Sequence, residues 1–410
     1  MMKGFTRNLA PIAVIVGTVI ASPAARADDG ESQDNRPNRY LVTSLTSDQP
    51  GVATNTDPVL RNAWGVAFTP AASPFWVSDN ATGCSTLYDG AGVPQPVPPA
   101  TALRVKIPLP GGDVSTACMP FDPSHPPKPT PAAPTGMIWN PTSDPSSAFL
   151  VPKTKSPAAF IWATEDGTLA AWSGHLANIN KAVLAVDNAV KPSKTLGAVY
   201  KGLAFGVNIK QGPLLFAANF RGGKIDVFAP SQNSSGVGLS YKAATTTGGF
   251  KDKGVPAIPA NYAPFGIQNI DGNLIVTYGQ QNSDKHDDVE GAGHGFVDAF
   301  DTDGNFLARL ATRGALNSPW GVARASFAFG LFSGDLLIGN FGNGLVNALT
   351  PTGLLTLKGT NDKPLAVAGG RGLWTLTLGG GAKSNPATLY FTSGPNQEMD
   401  GRFGTITPAQ

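Results

Sequence analysis

The stretch NAWGVAFT (residues 62–69) returns about 250 residues later as NSPWGVAR (residues 317–324). Each copy opens the same succession. After the first come FWVSDN (75–80) and STLYDG (85–90); after the second, DLLIGN (335–340) and GLVNA (344–348). Between them GLAF (202–205) leads to LLFAAN (214–219) and GKIDVF (223–228). Three looser copies keep the order: GMIW (136–139), FIWAT (160–164) and TLAAW (168–172); FGI (265–267), NLIVTYG (273–279) and GFVDAF (295–300); LWTL (373–376), TLYFT (388–392) and GRFG (401–404).

Each unit is three short β-rich runs split by Gly, Asn, Asp or Pro, often with a fourth run such as FLARL (306–310). Six such units of roughly 50–70 residues predict an all-β chain folded as a six-bladed β-propeller. A solenoid needs polar end caps and shorter, more even units. Innermost strands crowd a propeller's axis, which explains the recurring Gly and Ala; one aromatic per blade is expected to fill the space between sheets. YLVTSLT (40–46) precedes the first unit much as residues 306–312 precede the fifth, and the last unit runs out of chain after Ile406. The N-terminal strand is therefore expected to supply the missing outer strand and close the ring. One domain, 38–408, follows a polar tail at 28–37. The Pro-rich stretches Val93–Thr101 and Ser124–Thr135 read as surface loops, because a repeat straddles them.

Residues 1–27 carry Lys3 and Arg7, an apolar run from Leu9 to Ala21, and Ala25-Arg26-Ala27. That pattern predicts a signal peptide cleaved after Ala27, since the apolar run is too short for a comfortable membrane span. Its removal takes away three basic residues and no acid, turning a formal charge of +2 into −1. The expected product is a soluble monomer, secreted or periplasmic, with no membrane span. Charged residues make up 14 % of the 410-residue chain, well under the roughly 25 % of an average soluble protein. No basic cluster or aromatic-interleaved basic stripe exists, which excludes nucleic acid as a partner. Cys84 and Cys118, in a chain bound for an oxidising compartment, are either bridged or a separated pair of buried thiols. Neither has a histidine nearby in sequence to make it a nucleophile.

The pieces WGVAF with FWVSDN, ATEDGTLAAW, FAANFRGGKIDVF, KHDDVEGAGHGFVDAFD, SPWGVA with LLIGNFGNGLVNA, and YFTSGPNQEMDGRFG cover most of the mature chain. With them the sequence resembles an exported bacterial family of uncharacterised propellers, related to NHL-repeat and strictosidine-synthase-like six-bladed proteins. Some members of that family carry a PEP-CTERM sorting tail; this chain ends at ITPAQ, so anchoring by such a tail is not expected. The resemblance implies six blades and brings no settled reaction.

Polar residues follow the second run of every unit: Asp79-Asn80, Glu165-Asp166, Asn219, Gln280-Gln281, Asn340 and Asn396. With ordinary blade connectivity these loops gather at one end of the central channel, joined by Asn62, Asn261 and Asn317 at the entrances to inner strands. Two readings stand. Asn and Asp are common after strands because they accept turn conformations and cap backbone groups. Alternatively their oxygens converge on a hard cation. Likeness to six-bladed lactonases and phosphotriesterases implies a channel Ca²⁺, with Asp79, Glu165, Asn219 and Asn340 as ligands, polarising a carbonyl or phosphoryl oxygen. The insertion Asp284–Glu290 is the densest acidic cluster; it is either a solvated loop or a site-covering one with His286, Asp287 and Asp288 as donors. His294 reads as a turn residue.

GAGHGF leads into a strand rather than a helix, so it is not a dinucleotide fingerprint. DTDGN (301–305) lacks the later Glu of a calcium loop and reads as a hairpin turn. The first expectation is a propeller binding a small molecule, glycan or protein at its funnel face. The alternative is a calcium-dependent lactonase or esterase. A carbohydrate-binding or lyase-type propeller would need exposed aromatics.

Overall fold

Six sheets of short strands, antiparallel apart from one two-residue pairing, stand in a ring in this computed structural model. The described residues are 36–409 except 71–72, 97–100, 121–125, 144–147, 194 and 232–240. The expected signal peptide (1–27) and the expected tail up to residue 35 lie outside them. Inner strands are Ala63–Ala67, Pro134–Trp139, Tyr200–Asn208, Tyr262–Ile270, Pro319–Arg324 and Leu373–Leu378. They touch in cyclic order, and the sixth lies against the first. The chain is a six-bladed β-propeller.

Alternation along the strands puts one apolar set on each side of every blade, and neighbouring blades close on it. Trp76, Phe160, Trp162 and Trp172 pack between the first and second blades. Tyr40, Phe329, Phe332 and Phe391 do so between the fifth and sixth. Ring closure follows the expected route: Tyr40–Ser47 pairs antiparallel with Arg402–Pro408, from Tyr40↔Pro408 to Ser47↔Arg402. The strand that opens the described fold is thus the outer strand of its last blade. A disulfide joins Cys84, on the third strand of the first blade, to Cys118, Cα to Cα 4.9 Å. The DTDGN segment is a hairpin turn, in which Asp301 Oδ1 accepts from the amides of Asp303 and Asn305 at 2.9 and 2.8 Å.

The repeated phrase has a precise mechanical role. In all six inner strands the ladder slips at the same place. The slip falls on Trp64-Gly65, Thr135-Gly136, Lys201-Gly202, Phe265-Gly266, Trp320-Gly321 and Trp374-Thr375. An interruption of this kind re-aims side chains and sharpens twist. The second member of each pair lies against the next inner strand. A Cβ on Gly65 would stand 2.5 Å from the Thr135 carbonyl oxygen, on Gly266 2.1 Å from that of Trp320, and on Gly321 2.2 Å from that of Trp374. Only glycine fits there. In the sixth blade Thr375 replaces it and donates its hydroxyl to the Trp64 carbonyl at 2.8 Å.

The first members do not fill space between sheets, as expected for one aromatic per blade. Trp64, Phe265, Trp320 and Trp374, from four different blades, meet one another. The slip turns them to the axis, and the space between sheets is filled from other positions, such as Trp76 and Phe160 on second strands and Trp172 on a third.

Candidate functional site

The axis is plugged. Trp64 and Trp374 stack with ring centroids 3.4 Å apart, Trp320 stands edge-on to both at 5.9 and 5.8 Å, and Phe341 stacks on Trp374 at 4.2 Å. Phe220 and Phe265 complete this floor.

A circuit of polar side chains crosses the channel end of the blades. Asn62 is held at φ +44°. Its Oδ1 accepts from the Trp374 indole at 2.9 Å, and its Nδ2 donates to Asn80 at 3.2 Å and to Glu398 at 2.8 Å. Asn80 donates to Glu165 at 2.9 Å. The other oxygen of Glu165 accepts from the buried ammonium of Lys201, which also donates to Asp287 at 3.2 Å. Asp287 meets His286 Nδ1 at 2.9 Å. The same fourth-blade loop carries Glu290, 2.6 Å from Arg371, whose other nitrogen lies 3.6 Å from Glu398. The circuit therefore closes on itself. The fifth blade braces it through Asn317 Oδ1, which accepts from the Gly291 amide at 2.8 Å. Three successive non-glycine residues in the left-handed region, Asn396, Gln397 and Glu398 at φ +53°, +54° and +67°, set Glu398 in place. Such backbone costs of order 1–3 kcal/mol per residue and persists where surroundings enforce it.

The charges are unevenly poised. Burial, aided by the charge of Glu165, pushes the Glu398 carboxyl up to about 7. Burial also lifts Asp288 to about 6. It works against the Asp287 carboxylate too, yet the bond from His286 and the charge of Lys201 hold that group well below the usual range. His286 is raised, chiefly by its bond to Asp287. Burial would depress Lys201, but Glu165 and Asp287 keep it above its ordinary value.

The sequence-predicted residues separate into groups. Asn62, Asn80, Glu165, His286 and Asp287 join the circuit, with Asp288 beside His286 and Asp287 in the loop. Asp166 caps the Ala133 amide at 2.9 Å, and Gln280 sits in the ladder opposite Tyr262. Asn261 is exposed, its carbonyl accepting from the Gln281 amide at 2.8 Å. Asn396 is exposed and opens the left-handed turn. The other three proposed cation ligands turn into their own blades. Asp79, wholly buried, accepts from Thr86 at 3.2 Å. Asn219 donates to Asp226 at 2.8 Å and accepts from Gly222 at 2.9 Å. Asn340 donates to the Ala315 carbonyl at 2.8 Å. Sequence reasoning missed Lys201, Glu290, Arg371 and Glu398. One signal existed: Lys201 precedes a glycine at the place where Trp64, Phe265 and Trp320 stand.

Glu165, His286 and Asp287 offer donor atoms within 4.8 Å of one another. The Lys201 ammonium, however, touches both carboxylates. A calcium ion would have to displace that buried ammonium, and would meet two carboxylates and an imidazole where it takes six to eight oxygens. These residues do not fit that ion.

No family model matches the chain. It is 26 % identical over 376 residues to R648, an uncharacterised protein of Acanthamoeba polyphaga mimivirus, covering 90 % of this chain and 81 % of that protein. Among solved structures, the PQQ-bound aldose sugar dehydrogenase of Streptomyces coelicolor gives a TM-score of 0.43 at 12 % identity, covering 91 % of this chain and 99 % of that one. The periplasmic gluconolactonase of Pseudomonas aeruginosa gives 0.41 at 12 % identity, covering 87 % of each. Two further mimivirus proteins, R640 and L690, match at 28 % and 25 % identity; these relatives do not support the expected kinship with exported bacterial propellers.

Proposed function

We propose that the closed polar circuit is a recognition site for a small uncharged molecule rich in hydroxyl or carbonyl oxygens. The observation that carries this reading is the circuit itself: its charges are paired internally, so a neutral polar ligand can exchange hydrogen bonds with it without stranding a charge. Asn80 spends one amide hydrogen on Glu165 and one oxygen lone pair on Asn62, which leaves one of each for a ligand, and Glu398 can give or take a proton near neutrality. The floor aromatics lie beneath this layer and are at most 9 % exposed, which favours hydrogen bonding over stacking. Titration calorimetry with neutral sugars and sugar lactones tests the reading. Saturable binding that weakens about tenfold in Asn62→Ala and Glu398→Gln is expected; no heat with any probe sinks it.

The second reading, a calcium-dependent lactonase or esterase, draws on the proximity of Glu165, His286 and Asp287. Lys201 opposes it. Calcium is expected to give no saturable binding to the wild type, and a chelator to leave any lactone turnover unchanged. Export to an oxidising compartment is supported by the Cys84–Cys118 bridge; expression with and without residues 1–27, followed by fractionation, tests it.

A further inference from the structure

Apart from that circuit, a cleft of about 470 Å³ opens between the third and fourth blades. Its walls come from the loop after Asn219, the segment 249–260, and the loop that begins at Gln281. Four cationic side chains line it: Arg221, Lys224, Lys251 and Lys285. Lys251 and Lys285 are exposed and form no ion pair among the described residues. Lys224 shares Asp226 at 2.8 Å while remaining 63 % exposed, and Arg221 spends one nitrogen on the Gly197 carbonyl at 3.2 Å.

The acid in the lining does not offset them. Asp252 Oδ1 accepts from Arg309 at 2.8 Å and the Gly254 amide at 2.7 Å, and Oδ2 accepts from the Ile258 amide at 2.7 Å. Its charge is answered by Arg309, which lies outside the lining. Two tyrosines supply the second observation. Tyr262 and Tyr278 line the cleft, are only 7 % and 6 % exposed, and their hydroxyls make no hydrogen bond among the described residues. Their rings are buried, but the hydroxyl oxygens are not sealed from solvent and open to the cleft with their hydrogens unspent. Unused phenolic donors beside unpaired cations call for an acceptor that carries negative charge.

We infer that this cleft binds a small organic oxyanion, a phosphorylated or multiply carboxylated molecule. Its volume falls in the range of small-molecule sites and exceeds what a bare phosphate fills. The inference is independent of the function proposed for the circuit, whose ligand is neutral.

Calorimetry on the full chain at low salt, with glucose 6-phosphate, citrate, inorganic phosphate and glucose as separate probes, tests it. Glucose 6-phosphate or citrate is expected to bind saturably, more tightly than inorganic phosphate, while glucose gives no heat that depends on these residues. Lys251→Ala with Lys285→Ala should weaken the anion about tenfold or more, and added salt should weaken it further. Tyr278→Phe, which removes a hydroxyl with no protein partner and so spares the fold, should weaken it severalfold. Absence of anion binding overturns the inference, as does binding that both variants leave unchanged. Preference for glucose 6-phosphate over citrate would assign the phosphate ester, and the reverse the carboxylate.

Discussion

Lys201 concentrates the physics of the circuit in one side chain. It is 2 % exposed, contacts Glu165 and Asp287, and lies 5.4 Å from the centre of the Trp64 ring. Removing one partner of a buried pair leaves the other charge uncompensated, at a cost of about 3–5 kcal/mol. Lys201→Met, which keeps the aliphatic stem, should therefore lower the urea midpoint strongly at pH 7. Lys201→Met combined with Glu165→Gln, which leaves no stranded carboxylate at that position, should lose much less. An equal loss in the single and double variants would mean that packing, not charge, is what the lysine provides. Glu398 runs the other way. Its folded value, pushed up to about 7 from 4.5, makes the native state the tighter proton binder. Its stabilising contribution is complete below pH 4.5 and is lost as pH rises through 7. Glu398→Gln should flatten the fall in stability between pH 5 and 8. An unchanged slope in the variant would place the titration elsewhere.

At the scale of the element, the interrupted inner strand is the unit that the sequence repeats. Gly321→Ala places a methyl group against the Trp374 carbonyl, and overpacking of that kind costs about 1–3 kcal/mol; thermal unfolding reads it directly. The same site explains which parts of the molecule were legible. Alternating runs and the tryptophan–glycine phrase announced six blades, because both follow from local geometry. The fate of a polar residue after a second strand was not legible in the same way. Asn80 and Asn219 look alike in sequence, yet the ladder register makes Asp79 the counterpart of Asn219, and Asn80, one residue further on, finds Glu165 on the next blade. Ladder position decides between capping the blade and reaching the channel: Asp79 and Asn219 end their strands and each meets the third-strand residue seven places on, Thr86 and Asp226, whereas Asn80 stands one place further. Glu398 was harder still, since its bond to Asn62 spans 336 residues. Lys201 stood inside the phrase, hidden by aligning the third copy from its glycine.

For the whole molecule, closure is the feature on which the arrangement depends, because the circuit draws its members from the first, second, third, fourth and sixth blades and from the link between the fifth and sixth. The closing contact is a strand of eight residues, Tyr40–Ser47, clasping Arg402–Pro408. Tyr40 adds a buried hydroxyl that donates to the Phe329 carbonyl at 3.0 Å, tying the clasp to the fifth blade. Without that strand, Arg402–Pro408 becomes an open edge with unpaired amides and carbonyls, a template for pairing with another chain. A chain lacking residues 1–47 should therefore elute as dimers and larger species in size-exclusion chromatography, with a lowered unfolding temperature. A synthetic peptide of residues 38–48 should return the elution to that of the full chain by adding back the missing strand. The peptide arm separates loss of the clasp from a general failure to fold. If the shortened chain elutes as the full chain does with unchanged stability, or the peptide has no effect, the clasp does not hold the ring, and the circuit must owe its geometry to the packing between neighbouring blades alone.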